Sequence, residues 1–161
     1  MRPRLASLAA EQLFAAPVVD AEMASAALAG LWLWHDFLDE SHAISQSIDT
    51  PTGSYWHGIM HRREGDFGNA RYWFRRVGRH PAFAPLAAAA NAEARALAEA
   101  PPELLAEFDG GDWDPFRFVD LCERCERSDD EAAQRLLRSV ARREWEMLFD
   151  YCYNAAQGNR E

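Results

Sequence analysis

Lysine is absent from this chain. All 17 basic residues are arginine, and they face 26 acidic residues for a net charge of −9. That balance excludes a globally basic nucleic-acid binder and argues against nucleic acid as a partner, although a local basic patch is still allowed. β-Branched residues are almost as scarce, with three Ile, five Val and two Thr against 29 Ala and 15 Leu. Strands are built from β-branched and aromatic side chains and helices from Ala and Leu, so the composition predicts an all-α fold. Cysteine is limited to three, an odd number that points to reduced thiols and a cytoplasmic location. No apolar run approaches the roughly 18 residues of a membrane span. Glu11 and Gln12 interrupt the apolar stretch that a secretory leader requires, so none is expected.

What is present is 161 residues, 48% of them apolar and 12% aromatic. A chain of this size buries roughly two thirds of its unfolded surface and needs no disulfide or metal to fold. A single all-helical domain over residues 1–161 is therefore expected. Turn signals divide it into about eight helices in a compact array. The first runs from Leu5 to Ala15. A long, central helix follows Asp20 and continues through His35 and His42 to Ile48. The third starts at a Ser54 cap, and the fourth runs from an Asp66 cap to a Gly78 stop. An alanine-rich helix covers Phe83 to Ala100, and a short one follows Pro101-Pro102. Asp114-Pro115 opens the seventh, and Ser128 with Glu131 forms a capping box for the last.

Residues 55–81, YWHGIMHRREGDFGNARYWFRRVGRHP, stand apart. They hold three of the five histidines, six arginines and six aromatic residues, and carry a local charge of +4. The segment resembles one tetratricopeptide repeat, with Gly58, Gly65-Asp66, Ala70, Phe74 and Pro81 at matching intervals. The resemblance covers one repeat and implies an antiparallel helical hairpin. Gly58 and Ala70 would let its helices approach, and Phe74 would fill its inner face. The segment is also similar to one shared by an uncharacterised family of small bacterial helical proteins.

His57, His61 and Glu64 lie at i, i+4 and i+7 and so share one helix face. His35, Asp39 and His42 form a similar set on the preceding helix. Imidazoles and carboxylates converging between two helices are suited to a zinc or non-haem iron site with open coordination positions. The competing reading makes His57 and His61 core residues of the hairpin, satisfied by hydrogen bonds. His35-Asp36 resembles the dyad of HD-type phosphohydrolases, but the upstream histidine of that family is missing. His80, before Pro81, is expected to cap helix carbonyls after Gly78.

Arg71, Arg75 and Arg79 at i, i+4 and i+8 would form a stripe suited to an anionic small molecule or the acidic surface of a protein partner. The competing reading pairs the arginines with acids such as Glu64, Asp66 and Glu40. Cys122 and Cys125 form a CxxC within a helix, which reads as packing and not as redox chemistry. Asp109, Asp112 and Asp114 lack the spacing of a calcium loop.

These patterns support a helical binding protein whose groove is lined by Arg62, Arg63, Arg71, Arg75, Arg79, His80, Trp56 and Tyr72. The alternative is a metal-dependent hydrolase or oxygenase using His57, His61 and Glu64, joined by His35, Asp39 and His42. Six tryptophans in 18 kDa make exposed aromatic surface, and hence a homodimer, an expectation.

Overall fold

The computed structural model describes residues 1–97 and 99–159. Among them every regular element is helical, and no strand occurs. Contacts group the chain into two compact units, Met1–Gly78 with Leu148 onward, and Arg79–Met147.

The first unit begins with α1 (Arg2–Ala6) and a 3₁₀ turn (Ala10–Leu13), not the single helix expected from Leu5 to Ala15. Asp20 caps α2 (Ala21–Trp34) as expected, its Oδ1 accepting from the N–H groups of Glu22 and Met23 at 3.1 and 3.0 Å. The long helix expected to follow is split. After His35 the chain turns at Asp36, whose φ is +64°, and restarts as α3 (Leu38–Ser45). The next helix, α4 (Pro51–Arg63), starts earlier than the expected Ser54 cap, because Thr50 supplies the capping oxygen and Pro51 the first helical position. Every residue of α4 from Thr52 to Arg62 is buried, so the central role expected of the preceding helix falls to α4.

Small residues make that burial feasible. Alanines 24, 26, 27 and 29 are fully buried on α2, and a Cβ at Gly30 would come within 2.7 Å of the Trp56 indole. Trp56 in turn donates from Nε1 to Cys152 Sγ at 3.4 Å.

Asp66 caps α5 (Phe67–Val77) by accepting from Asn69 N–H at 3.0 Å, and Gly78, at φ +61°, ends it. The tight turn at Gly65 (φ +84°) folds α5 back on α4. A Cβ at Gly58 would sit 3.1 Å from the Phe74 ring, and the Tyr55 and Phe74 rings meet edge to face at 5.7 Å. The two helices thus form an antiparallel hairpin. From Leu148 onward the last helix, α9 (Glu131–Ala156), belongs to this unit, where Tyr153 stacks on Phe14 at 4.7 Å.

The second unit contains α6 (Phe83–Ala96), α7 (Pro102–Ala106), α8 (Pro115–Glu126) and α9 as far as Met147. Its core joins Leu86 and Ala90 of α6 to Phe108, Trp113, Phe118, Leu136 and Val140. The helix expected to reach Ala100 stops at Ala96; Ala98 lies outside the described residues, as do 160 and 161. Asp114 and Pro115 open α8 as expected. The capping box at Ser128 shifts: Asp130 accepts from Ala133 N–H at 2.9 Å, while Ser128 Oγ accepts from Asp130 N–H at 3.1 Å.

Candidate functional site

Two helices supply a cluster of three imidazoles. On α4 the i, i+4 spacing stacks His57 and His61, with ring centroids 4.8 Å apart and planes inclined by 27°. From α3, His42 meets both rings edge on, at 4.5 Å from His57 and 5.5 Å from His61. One nitrogen from each ring lies within 4.8 Å of the others. His57 is 1% exposed and its Nδ1 has no hydrogen-bond partner. Burial first, then the neighbouring His42 and His61, hold its pKa down to about 3. It is a neutral imidazole at physiological pH, the form a metal ligand requires.

Glu64 takes a different position from the one its spacing suggested. It is the residue that ends α4, and its Oε1 lies 2.6 Å from His61 Nδ1. A carboxylate only accepts, so Nδ1 carries the proton, and in the neutral ring Nε2 keeps its lone pair. A carboxylate that fixes the tautomer of a histidine in this way is the usual outer partner of a metal-binding imidazole.

The other two members of the upstream set are not brought in. His35 lies in the turn after α2 and Asp39 is exposed on α3, and neither belongs to a metal-sized cluster among the described residues. The left-handed residue Asp36 breaks the helical register between His35 and His42, so the shared face does not exist. Arg63 holds this corner, donating to the Leu33 carbonyl at 2.6 Å and pairing with Asp36 at 3.3 Å. A second metal-sized group, His61 with Glu64 and Asp66, has Asp66 already engaged through both oxygens by Asn69.

Two residues expected to line the arginine groove are buried. Trp56 is fully buried in the core, and Arg62 is buried with its guanidinium 5.8 Å from the Phe74 ring. Arg79 follows the Gly78 stop and lies outside α5. Arg75 and Tyr72 are exposed. Arg76 pairs with Asp49 at 2.9 Å and lies 5.3 Å from the Trp73 ring. Pairing with acids does occur, Arg63 with Asp36 and Arg76 with Asp49, while Glu40 is engaged by Arg2. In the second unit, His80 is buried and its Nδ1 accepts from Ala82 N–H at 3.2 Å.

Trp73 is the residue that sequence reasoning missed. Its ring stacks on His57 at 3.8 Å with an inclination of 18°, closing one side of the imidazole cluster. The signal was available, because His57 and Trp73 are equally distant in sequence from the Gly65 turn, and an antiparallel hairpin pairs such positions.

The chain matches no known protein family, no curated protein and no solved structure. Its site therefore has to be read from its own chemistry.

Proposed function

We propose that the protein binds a divalent transition metal, zinc first, through His42, His57 and His61. The observation that carries this reading is the buried, unpartnered Nδ1 of His57, in a ring packed against two further imidazoles. An orphaned buried nitrogen costs about 1–3 kcal/mol, and a metal bound by the cluster would offset that cost. The donor set is all imidazole, which suits zinc, copper or nickel and disfavours magnesium and calcium. Glu64 acts as the outer partner of His61. This weakens the non-haem iron reading, whose facial triad needs a carboxylate among the ligands themselves. The hairpin carrying two of the ligands is read as a tetratricopeptide-like unit turned to metal binding.

A second reading, metal-dependent hydrolysis, rests on the ligand count. Three imidazoles leave a fourth position for water, whose pKa a zinc ion lowers to about 7.

Cobalt(II) titration of the metal-free protein tests the binding reading. Visible absorption typical of tetrahedral cobalt is expected in the wild type and should be lost in His57→Ala. A wild-type protein that gives only the spectrum of aqueous cobalt would overturn it.

A further inference from the structure

We infer that α3 is the metal-responsive element of this protein, so that binding at the imidazole cluster is read out as an ordering of Leu38–Ser45. The inference rests on the metal reading above and adds what the metal does.

The three ligands come from helices held in place very differently. His57 and His61 lie on α4, whose whole length from Thr52 to Arg62 is buried. His42 lies on α3, where the buried residues are Ser41 and Ser45 and no buried side chain is apolar. Apolar burial is the main term holding a helix to its neighbours, and on α3 it is limited to the partly buried Leu38 and Ile44. Ser41 Oγ is moreover buried without a hydrogen-bond partner, which works against the packed position. The N-terminus of α3 has no side-chain cap, and the corner before it is turned by Asp36 in the left-handed region, unfavourable for a non-glycine residue. Further apolar contacts flank the helix, at Phe37, edge to face with Trp32 at 5.4 Å, and at buried Ile48. An element with anchored ends and a weakly held body opens locally at low cost.

A metal changes that balance, because local opening of α3 removes His42 from the coordination sphere. Bound zinc then opposes opening in proportion to its occupancy. If opening releases the metal, the open state becomes rarer by about the ratio of free zinc to its dissociation constant, roughly a hundredfold at a hundredfold excess. The outer face of α3 and its C-cap, with Asp39, Ala43 and Gln46 exposed, is the surface whose order follows the metal.

Hydrogen exchange on the full chain, with chelator or with zinc chloride, tests this alongside calorimetric zinc titration. Amides of α3 should exchange at least about tenfold more slowly with zinc, while amides in the middle of α4 and α5 change far less. His42→Gln should retain the α4 and α5 protection and lose the zinc effect on α3. Zinc uptake with α3 exchange unchanged, or with all of these helices slowed equally, overturns the inference alone. Absence of zinc uptake overturns the metal reading and this inference together.

Discussion

The Trp73 indole lies flat on the His57 imidazole, ring centroids 3.8 Å apart, and seals one side of the cluster against water. The seal contributes to the burial that lowers the His57 pKa to about 3. Trp73→Ala should admit water and move that pKa upward toward the ordinary value near 6.5. A histidine NMR titration of both proteins measures it directly. A ring that still titrates near pH 3 without the indole would show that burial by α3 and α4 is sufficient.

Two buried glycines of α4 should respond differently to the same methyl group. At Gly53 a Cβ would lie 2.2 Å from the Ile48 carbonyl oxygen, a backbone atom that cannot move aside cheaply. At Gly58 it would lie 3.1 Å from the edge of the Phe74 ring, which can shift by a few tenths of an ångström. Alanine also gains about 1 kcal/mol of helix propensity over glycine at both sites. Gly53→Ala should cost at least about 2 kcal/mol, and Gly58→Ala within about 1 kcal/mol of zero. Urea denaturation of the two variants checks the order, and the reverse order would contradict the packing described for α4.

Much of the fold was legible because its signals are local. Ala and Leu in place of β-branched residues gave the all-helical class, and Asp66, Gly78 and Asp114-Pro115 marked helix ends by capping chemistry that operates within one turn. The misreadings have tertiary causes. Nothing local marks the break at Asp36, since the corner is held by Arg63, far along the chain. The helical spacing of Glu64 with His57 and His61 was real, but where that carboxylate points depends on its place at the end of α4, after the last helical residue. Trp56 and Arg62 read as surface residues because aromatics and arginines accompany ligand sites as well as cores. Only the packing of α2 and α5 against α4 decides between these.

The corner at Asp36 gives a separate test. Glycine adopts its φ of +64° without strain, while alanine keeps the strain and loses the carboxylate. The ion pair with Arg63 is solvent-exposed and contributes at most about 1 kcal/mol. Asp36→Gly should stay within about 1 kcal/mol of wild type, and Asp36→Ala should fall about 1 kcal/mol below the glycine variant. Equal stabilities for the two variants would show that the corner is unstrained.

In the second unit, burial lowers the His80 pKa to about 4. The unfolded chain takes up this proton near pH 6.5, before the folded one does. The contribution of His80 is therefore constant above about pH 6.5 and is lost progressively down to about pH 4, by roughly 3 kcal/mol in all. His57, shifted in the same direction, adds to the slope. Unfolding free energies measured across that range should fall less steeply for His80→Gln than for wild type, by about one proton. Parallel curves would contradict a neutral, buried His80.

Elemental analysis of the purified protein after zinc loading and desalting tests most directly whether the three imidazoles hold a metal. About one zinc per chain is expected in the wild type, and close to none in His61→Ala at matched helicity. A wild-type protein free of zinc under those conditions, or a His61→Ala protein that retains it, would contradict the account.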